Sequence, residues 1–276
     1  MISVNDIKEL SKNIRKDVLE MTYKKKASFI GSAFSCADIM AVLYGAVMQY
    51  DKNDIENKNN DVLFLSKGHA ASALYATLAE VGIIEKSRLV KEFNESGYKM
   101  GVHLKRNPKL GIISSSGSLG QGVGLCTGYA LANKIQGYKG HCFVIVGDGE
   151  CNEGSVWESL MFANKNNLDN FTFIIDRNRL QSYGHDEIVL NLGDMKSKVE
   201  SFGLYTIEVD GHDVIELLDA FEKVKNSGRP SAIIANTIKG KGFSGFEDKT
   251  LWHYKWPEDE HYEAALAELE NVGEEL

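Results

Sequence analysis

Proline is scarce in this chain and an excess of basic residues is lacking, and each of these features argues against a class of protein. Only 3 of the 276 residues are proline. No Pro- or Ser-rich linker and no internal repeat divides the sequence, so we expect a single domain over residues 1–276. Acidic residues outnumber basic ones by 39 to 31, which gives a net charge of −8. A phosphate backbone needs a basic footprint, so the composition argues against a nucleic-acid-binding protein.

Cysteine pairs and long apolar runs are also lacking. The 4 cysteines, Cys36, Cys126, Cys142 and Cys151, form no CxxC motif, a pattern typical of reduced, buried thiols in the cytoplasm. No stretch reaches the roughly 18 apolar residues that a membrane span needs. The N-terminal segment carries charges throughout, unlike a signal peptide. We therefore expect a cytoplasmic protein without membrane spans.

Short apolar runs that alternate with helical patterns are the main structural signal. Such runs without polar alternation are typical of a parallel sheet covered by helices on both faces, and this α/β class is our prediction. Helices are predicted over about 5–23, 195–202 and 213–225, and another is predicted to begin at Ser35, in a capping-box-like sequence. The acidic tail, about 257–276, is predicted to be a helix with a frayed end. The runs that predict strands are DVLFLS, CFVIV, FTFIID, LYTIEVDG and SAIIANT.

Two of the predicted strands end in side chains suited to a metal ion. CFVIV leads into GDGECNEG, which contains Asp148, and FTFIID leads into Asn178 and Leu180. Ligands of an open parallel sheet bind at the carboxyl ends of its strands, so these residues are expected to converge. Mg²⁺ prefers about six oxygens, often shared between protein, water and phosphates. The Asp148 carboxylate, the Asn178 amide and the Leu180 carbonyl would supply three of them.

The glycines around Asp148 predict that a diphosphate approaches the backbone closely. Gly147 and Gly149 have no side chain to block it, and the helix after the motif would direct N–H groups at the negative charge. The chain has no GxxxxGK[ST] motif, which argues against a P-loop. The simplest alternative is that GDG is an ordinary strand-to-turn signal, and Asp-x-Asn at a second strand end argues against it.

These motifs resemble those of thiamine diphosphate enzymes, and the wider pattern resembles the N-terminal part of transketolase. SKGHAASALYATLAEVG, SSGSLGQG, VGDGExxEGxxWE, DRNxLQ, VDGHD and TIKGKG occur in family order between about residues 10 and 255. The resemblance implies thiamine diphosphate and Mg²⁺ as cofactors, with Asp148, Asn178 and Leu180 as the metal ligands. It places Glu153 at a dimer interface between two active sites. The residues implied to contact the cofactor are His69, Gly117, Ser118, Leu119, Gly147, Asp148, Gly149, Glu150, Glu153 and Asn178.

Three histidines are implied by the same resemblance to act in catalysis. They are His69 in SKGH, His103 in GVHL and His253 in LWHY. Each has a simpler alternative, because His69 could cap a helix and the other two could be loop residues without a function. The remaining histidines, which we interpret as solvated or structural, are His141, His185, His212 and His261.

The resemblance also implies a second chain. In the family, this region is accompanied by a domain that binds the aminopyrimidine and supplies the glutamate that activates the cofactor. No pattern for such a domain fits between the motifs of this chain. The implied protein is the N-terminal subunit of a two-chain transketolase, inactive without a C-terminal partner, in an α₂β₂ heterotetramer. It would transfer a two-carbon ketol unit from a ketose phosphate to an aldose acceptor.

One position departs from the family pattern. ASFIGSAFS, residues 27–35, stands where many transketolases have SGHxGxxxS, so Phe29 replaces a histidine that faces the substrate. Phenylalanine neither donates a hydrogen bond to a sugar hydroxyl nor transfers a proton. The substitution favours a specialised ketose over the usual pentose-phosphate pair.

Two alternative functions remain open. One is a different thiamine enzyme chain, either a deoxyxylulose-phosphate synthase or the α chain of a 2-oxoacid dehydrogenase, although GDGExxEGxxWE with TIKGKG favours transketolase. The other is a non-catalytic scaffold subunit that keeps the fold. The presence of Asp148, Asn178 and Glu153 argues against this scaffold.

Overall fold

A parallel sheet with helices on both faces forms the centre of the protein. The structure is a computed structural model and describes residues 2–271. The strand order is β1-β2-β3-β5-β4, and every neighbouring pair is parallel. The predicted fold class is confirmed, as are the predicted strands. The strands are β1 (Val62–Leu65), β2 (Cys142–Gly147), β3 (Phe171–Arg177), β4 (Tyr205–Asp210) and β5 (Ser231–Asn236).

The helices lie in the connections between these strands, because parallel neighbours must be joined by crossover connections. Shorter 3₁₀ turns lie at Gly68–Ala70, Pro108–Leu110, Gly149–Asn152 and Thr250–His253. The helix α3 continues as a π-helical turn, Leu43–Val47. The α-helices are α1 (Val4–Lys24), α2 (Ile30–Ser35), α3 (Ala37–Val42), α4 (Ala71–Glu80), α5 (Arg88–Glu92), α6 (Gln121–Gln136), α7 (Gly154–Lys165), α8 (Asp186–Val189), α9 (Met195–Ser201), α10 (Val214–Lys225) and α11 (Asp259–Asn271).

Two apolar cores lie on opposite faces of the sheet. Leu63 and Phe143 point into the core formed with α1, α3, α4 and α10. Phe64 and Val144, their neighbours along the strands, point into the core formed with α6, α7 and α9. Successive side chains of a strand face opposite sides, so strands buried on both faces need apolar residues at every position. This is why the sequences of β1, β2, β3 and β5 show no polar alternation, whereas the outer strand β4 is partly exposed and alternates.

The helix predictions were correct except at one start. The helices predicted over about 5–23, 195–202 and 213–225 correspond to α1, α9 and α10. The prediction that a helix begins at Ser35 was wrong: Ser35 ends α2, and α3 begins at Ala37 without a side-chain cap. The Ser35 hydroxyl donates to the Asp176 carboxylate at 2.6 Å instead. The predicted C-terminal helix is α11, and its predicted frayed end, residues 272–276, lies outside the described residues.

The prediction that the four cysteines are buried and unpaired is confirmed. All four cysteines are buried and free of disulfides. Among the helices of residues 2–271, none combines the length and the apolar character of a membrane span.

Close packing of α6 against the end of β1 depends on one glycine. A Cβ atom added at Gly122 would lie 2.8 Å from the Cα of Ser66 and closer still to its side chain. Gly128, further along the same helix, is exposed, and an added Cβ would meet no atom within 4 Å. Gly122 therefore allows close packing at the N-terminal end of α6, whereas Gly128 is not needed for it.

We expect Gly122→Ala to destabilise the protein by about 2 kcal/mol, because the new methyl group displaces backbone as well as side-chain atoms. Gly128→Ala in the same helix is the matched control and should stabilise it by about 0.5–1 kcal/mol through helix propensity alone. Urea unfolding of the two variants measures the difference. Equal effects would show that helix propensity, not packing on Ser66, dominates at both positions.

Candidate active site

A cavity of about 300 Å³ lies at the carboxyl ends of β1, β2, β3 and β5. This is the edge of a parallel sheet at which ligands bind. Most of the predicted site residues line it. Ser118 and Glu153 do not; both are exposed, and Glu153 lies beside Gly120 at the start of α6. The predicted residues that the cavity brings together are His69, His103, Gly117, Leu119, Gly147, Asp148, Gly149, Glu150, Asn178, Leu180 and His253.

Asp148 connects the ends of β2 and β3. One carboxylate oxygen accepts a hydrogen bond from the Gly149 N–H at 2.7 Å, and the other accepts one from the Arg179 N–H. The Asn178 side-chain oxygen accepts a hydrogen bond from the Leu180 N–H at 3.1 Å, which closes a tight turn after β3. Burial, with a smaller contribution from the Asp176 charge, raises the pKa of Asp148 to about 6. A buried carboxylate of this kind is stabilised by a cation.

The oxygen ligands at this edge are few. Within residues 2–271, no group of three or more His, Cys, Asp or Glu side chains is placed to hold a metal ion. The three oxygens predicted from the sequence include only one carboxylate. A hard cation bound here would therefore take its other ligands from water and from a bound ligand, as Mg²⁺ does with phosphates.

Glu150 holds three segments of the site together. Its carboxylate accepts hydrogen bonds from the Ser66 hydroxyl at 2.5 Å, the Gly120 N–H at 2.8 Å and the Gly147 N–H at 3.2 Å. Burial raises the pKa of this carboxyl group. Because protein donors surround the carboxylate, the role of Glu150 is to fix the glycine-rich turn before α6 against the end of β2.

Two buried lysines, which the sequence analysis missed, face the same cavity. Lys67 follows β1 and Lys239 follows β5. Lys239 Nζ donates to the Leu180 carbonyl at 2.9 Å and to His253 Nδ1 at 3.1 Å. Burial and the neighbouring Lys67 charge lower the pKa of Lys239 to about 8. The only signal in the sequence was that each lysine follows a predicted strand end, within SKGH and TIKGKG.

Lys67 forms a buried ion pair with Asp176 beneath the cavity. The Asp176 carboxylate also accepts hydrogen bonds from Ser35 and from the Thr237 hydroxyl. Lys67 Nζ donates further to the Ser32 carbonyl at 3.1 Å. Burial alone would raise the pKa of Asp176, but the Lys67 ammonium and these hydrogen bonds outweigh it and lower the pKa. Both groups are therefore charged at neutral pH.

The three predicted catalytic histidines are neutral at pH 7. Burial lowers the pKa of His69 and His103, and burial together with the Lys239 charge lowers that of His253 to about 3. Lysine only donates, so Nδ1 of His253 must accept from Lys239, and Nε2 then carries the proton. This Nε2–H donates to the Ser182 hydroxyl at 3.1 Å. Both ring nitrogens of His253 are therefore bonded to protein groups, which fixes the orientation of its ring.

Phe29 lies between these histidines. Its ring centroid is 5.6 Å from that of His69, 5.4 Å from that of His103 and 5.3 Å from that of His253. The backbone φ of Phe29 is 76°, a left-handed conformation that is rare for a bulky residue. The Phe29 N–H donates to the His253 carbonyl at 3.1 Å. A strained aromatic residue therefore forms an apolar wall among the polar groups of the cavity.

Comparison with known proteins identifies relatives of this chain. The family described as the transketolase, thiamine diphosphate binding domain, matches residues 7–255. One of the subunits of the apulose-4-phosphate transketolase of Actinobacillus succinogenes is 34% identical over 98% of this chain and 98% of its own length. The 6-deoxy-6-sulfo-D-fructose transketolase subunit SqwG of a Clostridium species is 36% identical over 97% of this chain and 98% of its own length. Human transketolase is 38% identical over 90% of this chain, but only 40% of its own length is covered.

Solved structures give the same result for the fold. The transketolase of Campylobacter jejuni superposes with a TM-score of 0.90 at 27% identity, over 97% of this chain and 43% of the other. The transketolase of Leishmania mexicana gives a TM-score of 0.87 at 25% identity, over 96% of this chain and 41% of the other. The chain thus spans less than half of these single-chain proteins and nearly all of the two subunits.

The buried ion pair yields a double-mutant prediction. Lys67→Met and Asp176→Asn should each destabilise the protein by about 3–5 kcal/mol, because each leaves a buried charge unpaired. The double variant should be less destabilised than the sum of the two by at least ~2 kcal/mol, since it leaves neither charge. Urea unfolding of the three variants measures this coupling. Additive losses would contradict the assignment of Lys67 and Asp176 as a charged pair.

Proposed function

The chain belongs to the transketolase family, and we propose that it is the thiamine diphosphate-binding subunit of a two-chain transketolase. With a second chain, it transfers a two-carbon ketol unit from a ketose phosphate to an aldose acceptor. The observation that carries this proposal is that Asp148, Asn178 and the Leu180 carbonyl share one cavity with Lys239 and with neutral histidines. The near-complete coverage of two relatives named as transketolase subunits supports a division of the enzyme between chains.

The charges of the cavity suit a magnesium diphosphate. Asp148 has a raised pKa and Lys239 a lowered one, and neither forms an ion pair within the described part of the chain. Each charge is stabilised by one of opposite sign, and a magnesium diphosphate supplies both signs. Asp148, Asn178 and the Leu180 carbonyl would hold the Mg²⁺. The carbonyl already accepts from Lys239, but it has a second lone pair.

The protein's own contribution to the reaction lies in binding and proton transfer. Bound thiamine diphosphate supplies a nucleophilic carbon and an electron sink. His69 and His103 are neutral at pH 7, so a ring nitrogen of each can accept a proton from a substrate hydroxyl group within reach. Lys239 and Ser182 hold the two ring nitrogens of His253, which sets the orientation of its ring. The glutamate that activates the cofactor would come from the second chain.

We further propose that the exposed side of α6 and α7 is a contact between subunits. Leu125 on α6 is 50% exposed, and Met161 on α7 is 52% exposed. Phe162 on α7 is also exposed, α6 and α7 pack against each other, and Glu153, the residue that the resemblance places at an interface, is exposed at the start of α7. Several exposed apolar residues on neighbouring helices are typical of an interaction site. An α₂β₂ heterotetramer would cover this surface.

We expect native purification of the chain to yield a stoichiometric second chain and a complex that binds thiamine diphosphate only with Mg²⁺. Asp148→Asn should weaken this binding at least about tenfold, because the variant loses the only carboxylate among the three predicted metal ligands. Mass spectrometry identifies the companion chain, and calorimetry with and without Mg²⁺ measures the affinity.

The matched control is Asp248→Asn. Asp248 is exposed and has a φ of 52°, which asparagine tolerates as well as aspartate, so cofactor binding should not change. A complex that binds no thiamine diphosphate with Mg²⁺ would favour the scaffold alternative and contradict the proposal. Product formation from pyruvate, but not from a ketose donor, would favour the alternative of another thiamine enzyme.

The proposed substrate is a specialised ketose. Two relatives are named for apulose 4-phosphate and for 6-deoxy-6-sulfo-D-fructose, and Phe29 puts an aromatic ring between three histidines in the cavity. A hydroxyl group that faces this ring finds no hydrogen-bond partner there. Phe29 is thus proposed to influence the choice of donor or acceptor.

Phe29→His, assayed in the complex, should shift the ranking of ketose donors by at least about tenfold in kcat/KM towards ordinary pentose phosphates, since a hydrogen-bond donor is restored. Phe29→Leu keeps an apolar side chain and should retain the ranking of the unmodified complex. Steady-state kinetics over a panel of donors measures both variants. The same ranking in Phe29→His and the unmodified complex would contradict a role for Phe29 in substrate choice.

A further inference from the structure

The segment that carries Lys239 is held on both sides of this lysine. We call residues 237–242 the lysine loop. On one side, the Ile238 N–H donates to His212 Nε2 at 2.8 Å. On the other side, the Lys241 carbonyl accepts from Arg15 Nε at 2.7 Å. The two supporting residues come from the turn before α10 and from α1, which are far from the loop in sequence.

Asp38 hydrogen-bonds both residues that hold the lysine loop, Arg15 and His212. Its carboxylate accepts from Arg15 at 3.1 and 2.6 Å and is 2.7 Å from His212 Nδ1. The Ser11 hydroxyl donates to the same carboxylate. Burial alone would raise the pKa of Asp38, but the Arg15 charge and the hydrogen bonds from His212 and Arg15 outweigh it and lower the pKa. The carboxylate is therefore ionised and able to orient both neighbours.

The hydrogen bonds of His212 define its tautomer. Nε2 receives a backbone N–H, so it carries no proton, and Nδ1 must carry the proton that is shared with Asp38. A carboxylate on one ring nitrogen fixes both the tautomer and the ring orientation of a histidine. Asp38 thereby keeps Nε2 available as an acceptor for Ile238. His212, interpreted from the sequence as solvated or structural, has a definite partner in the lysine loop.

The position of the lysine loop matters because Lys239 reaches two groups of the cavity. Its ammonium group is 2.9 Å from the Leu180 carbonyl and 3.1 Å from His253 Nδ1. A hydrogen bond weakens steeply as its geometry is lost, so a small shift of the loop would separate Lys239 from both groups.

We propose that His212, oriented by Asp38, is a positioning residue that places Lys239 against the Leu180 carbonyl and against an anionic ligand in the cavity. The contact with the loop stands on the geometry of this chain alone. The link to the ligand rests on the proposed function, because it assumes that a diphosphate binds near Lys239. Hydrogen exchange tests the contact with the loop, and calorimetry tests the link to the ligand.

The test compares two amides of different length at residue 212. In His212→Gln, the amide lies near the position of Nε2 and retains an acceptor for the Ile238 N–H. In His212→Asn, the shorter amide lies near the position of Nδ1 and retains only the contact with Asp38. We expect His212→Asn to loosen the Ile238 side of the lysine loop, although the Gly240 N–H still donates to the Gly31 carbonyl at 2.9 Å, and we expect His212→Gln to keep most of the order of the loop.

Hydrogen exchange of the full chain, followed by mass spectrometry, is the first readout. Peptides that cover the lysine loop should exchange at least about tenfold faster in His212→Asn, since the Ile238 N–H loses its acceptor. They should stay close to the unmodified rate in His212→Gln. Calorimetry of the complex with inorganic diphosphate and Mg²⁺ is the second readout, and the dissociation constant should rise about tenfold in His212→Asn only.

His141→Asn is the control for a general loss of stability. His141 is buried and hydrogen-bonds the Thr172 hydroxyl at 2.8 Å, but it precedes β2, at the amino ends of the strands and away from the cavity. The His141→Asn variant should leave the hydrogen exchange of the lysine loop unchanged. Equal exchange in His212→Asn and the unmodified chain, or equal acceleration in His141→Asn, would overturn the positioning role.

Hydrogen exchange and calorimetry distinguish the positioning role of His212 from the proposed binding of magnesium diphosphate. Faster exchange without a change in diphosphate affinity would overturn the link between Lys239 and the ligand and leave His212 as a support of the loop only. An unmodified complex that binds no magnesium diphosphate would count against the proposed function, and the exchange experiment would still decide whether His212 holds the loop.

Discussion

The buried ion pair of Lys67 and Asp176 is the interaction on which the active-site edge of the sheet depends. It joins β1 to β3 across the end of β2, and the hydroxyls of Ser35 and Thr237 bind the same carboxylate. Removing two charges from water is costly, and only good geometry with further hydrogen bonds compensates for it. A pair satisfied in this way tolerates few alternative arrangements of the surrounding segments. The positions of the strand ends, and so of the cavity, follow from it.

Above this pair, the cavity combines charges that the described residues leave without a counterion. The pKa of Asp148 is raised and the pKa of Lys239 is lowered, which means that the fold holds both groups where their charged forms are disfavoured. Such a site is organised for a ligand with charges of both signs, and binding then requires little rearrangement of dipoles and charges. The backbone donors at Gly149 and Arg179 and the support of the lysine loop keep these groups in place before any ligand arrives.

Much of the candidate site was predictable because its signals are local. Asp148, Asn178 and Leu180 each follow an apolar run that ends in a turn, and the structure places all three on one cavity. Lys67 and Lys239 were missed because lysine is usually exposed, and nothing in the sequence marks a buried one. Ser35 was misassigned for the related reason that its pattern matched a local cap, whereas its hydroxyl binds a carboxylate far away in the chain.

The sequence by itself determined the parallel sheet, the order of its motifs and the residues at the strand ends, because apolar runs and glycine turns act over a few neighbouring residues. Only the tertiary structure decided which charges are buried and paired, which nitrogen of His212 and of His253 carries the proton, and that Phe29 stands among three histidines. Burial and the electric field at a group depend on neighbours brought together by folding, such as Asp38 at His212.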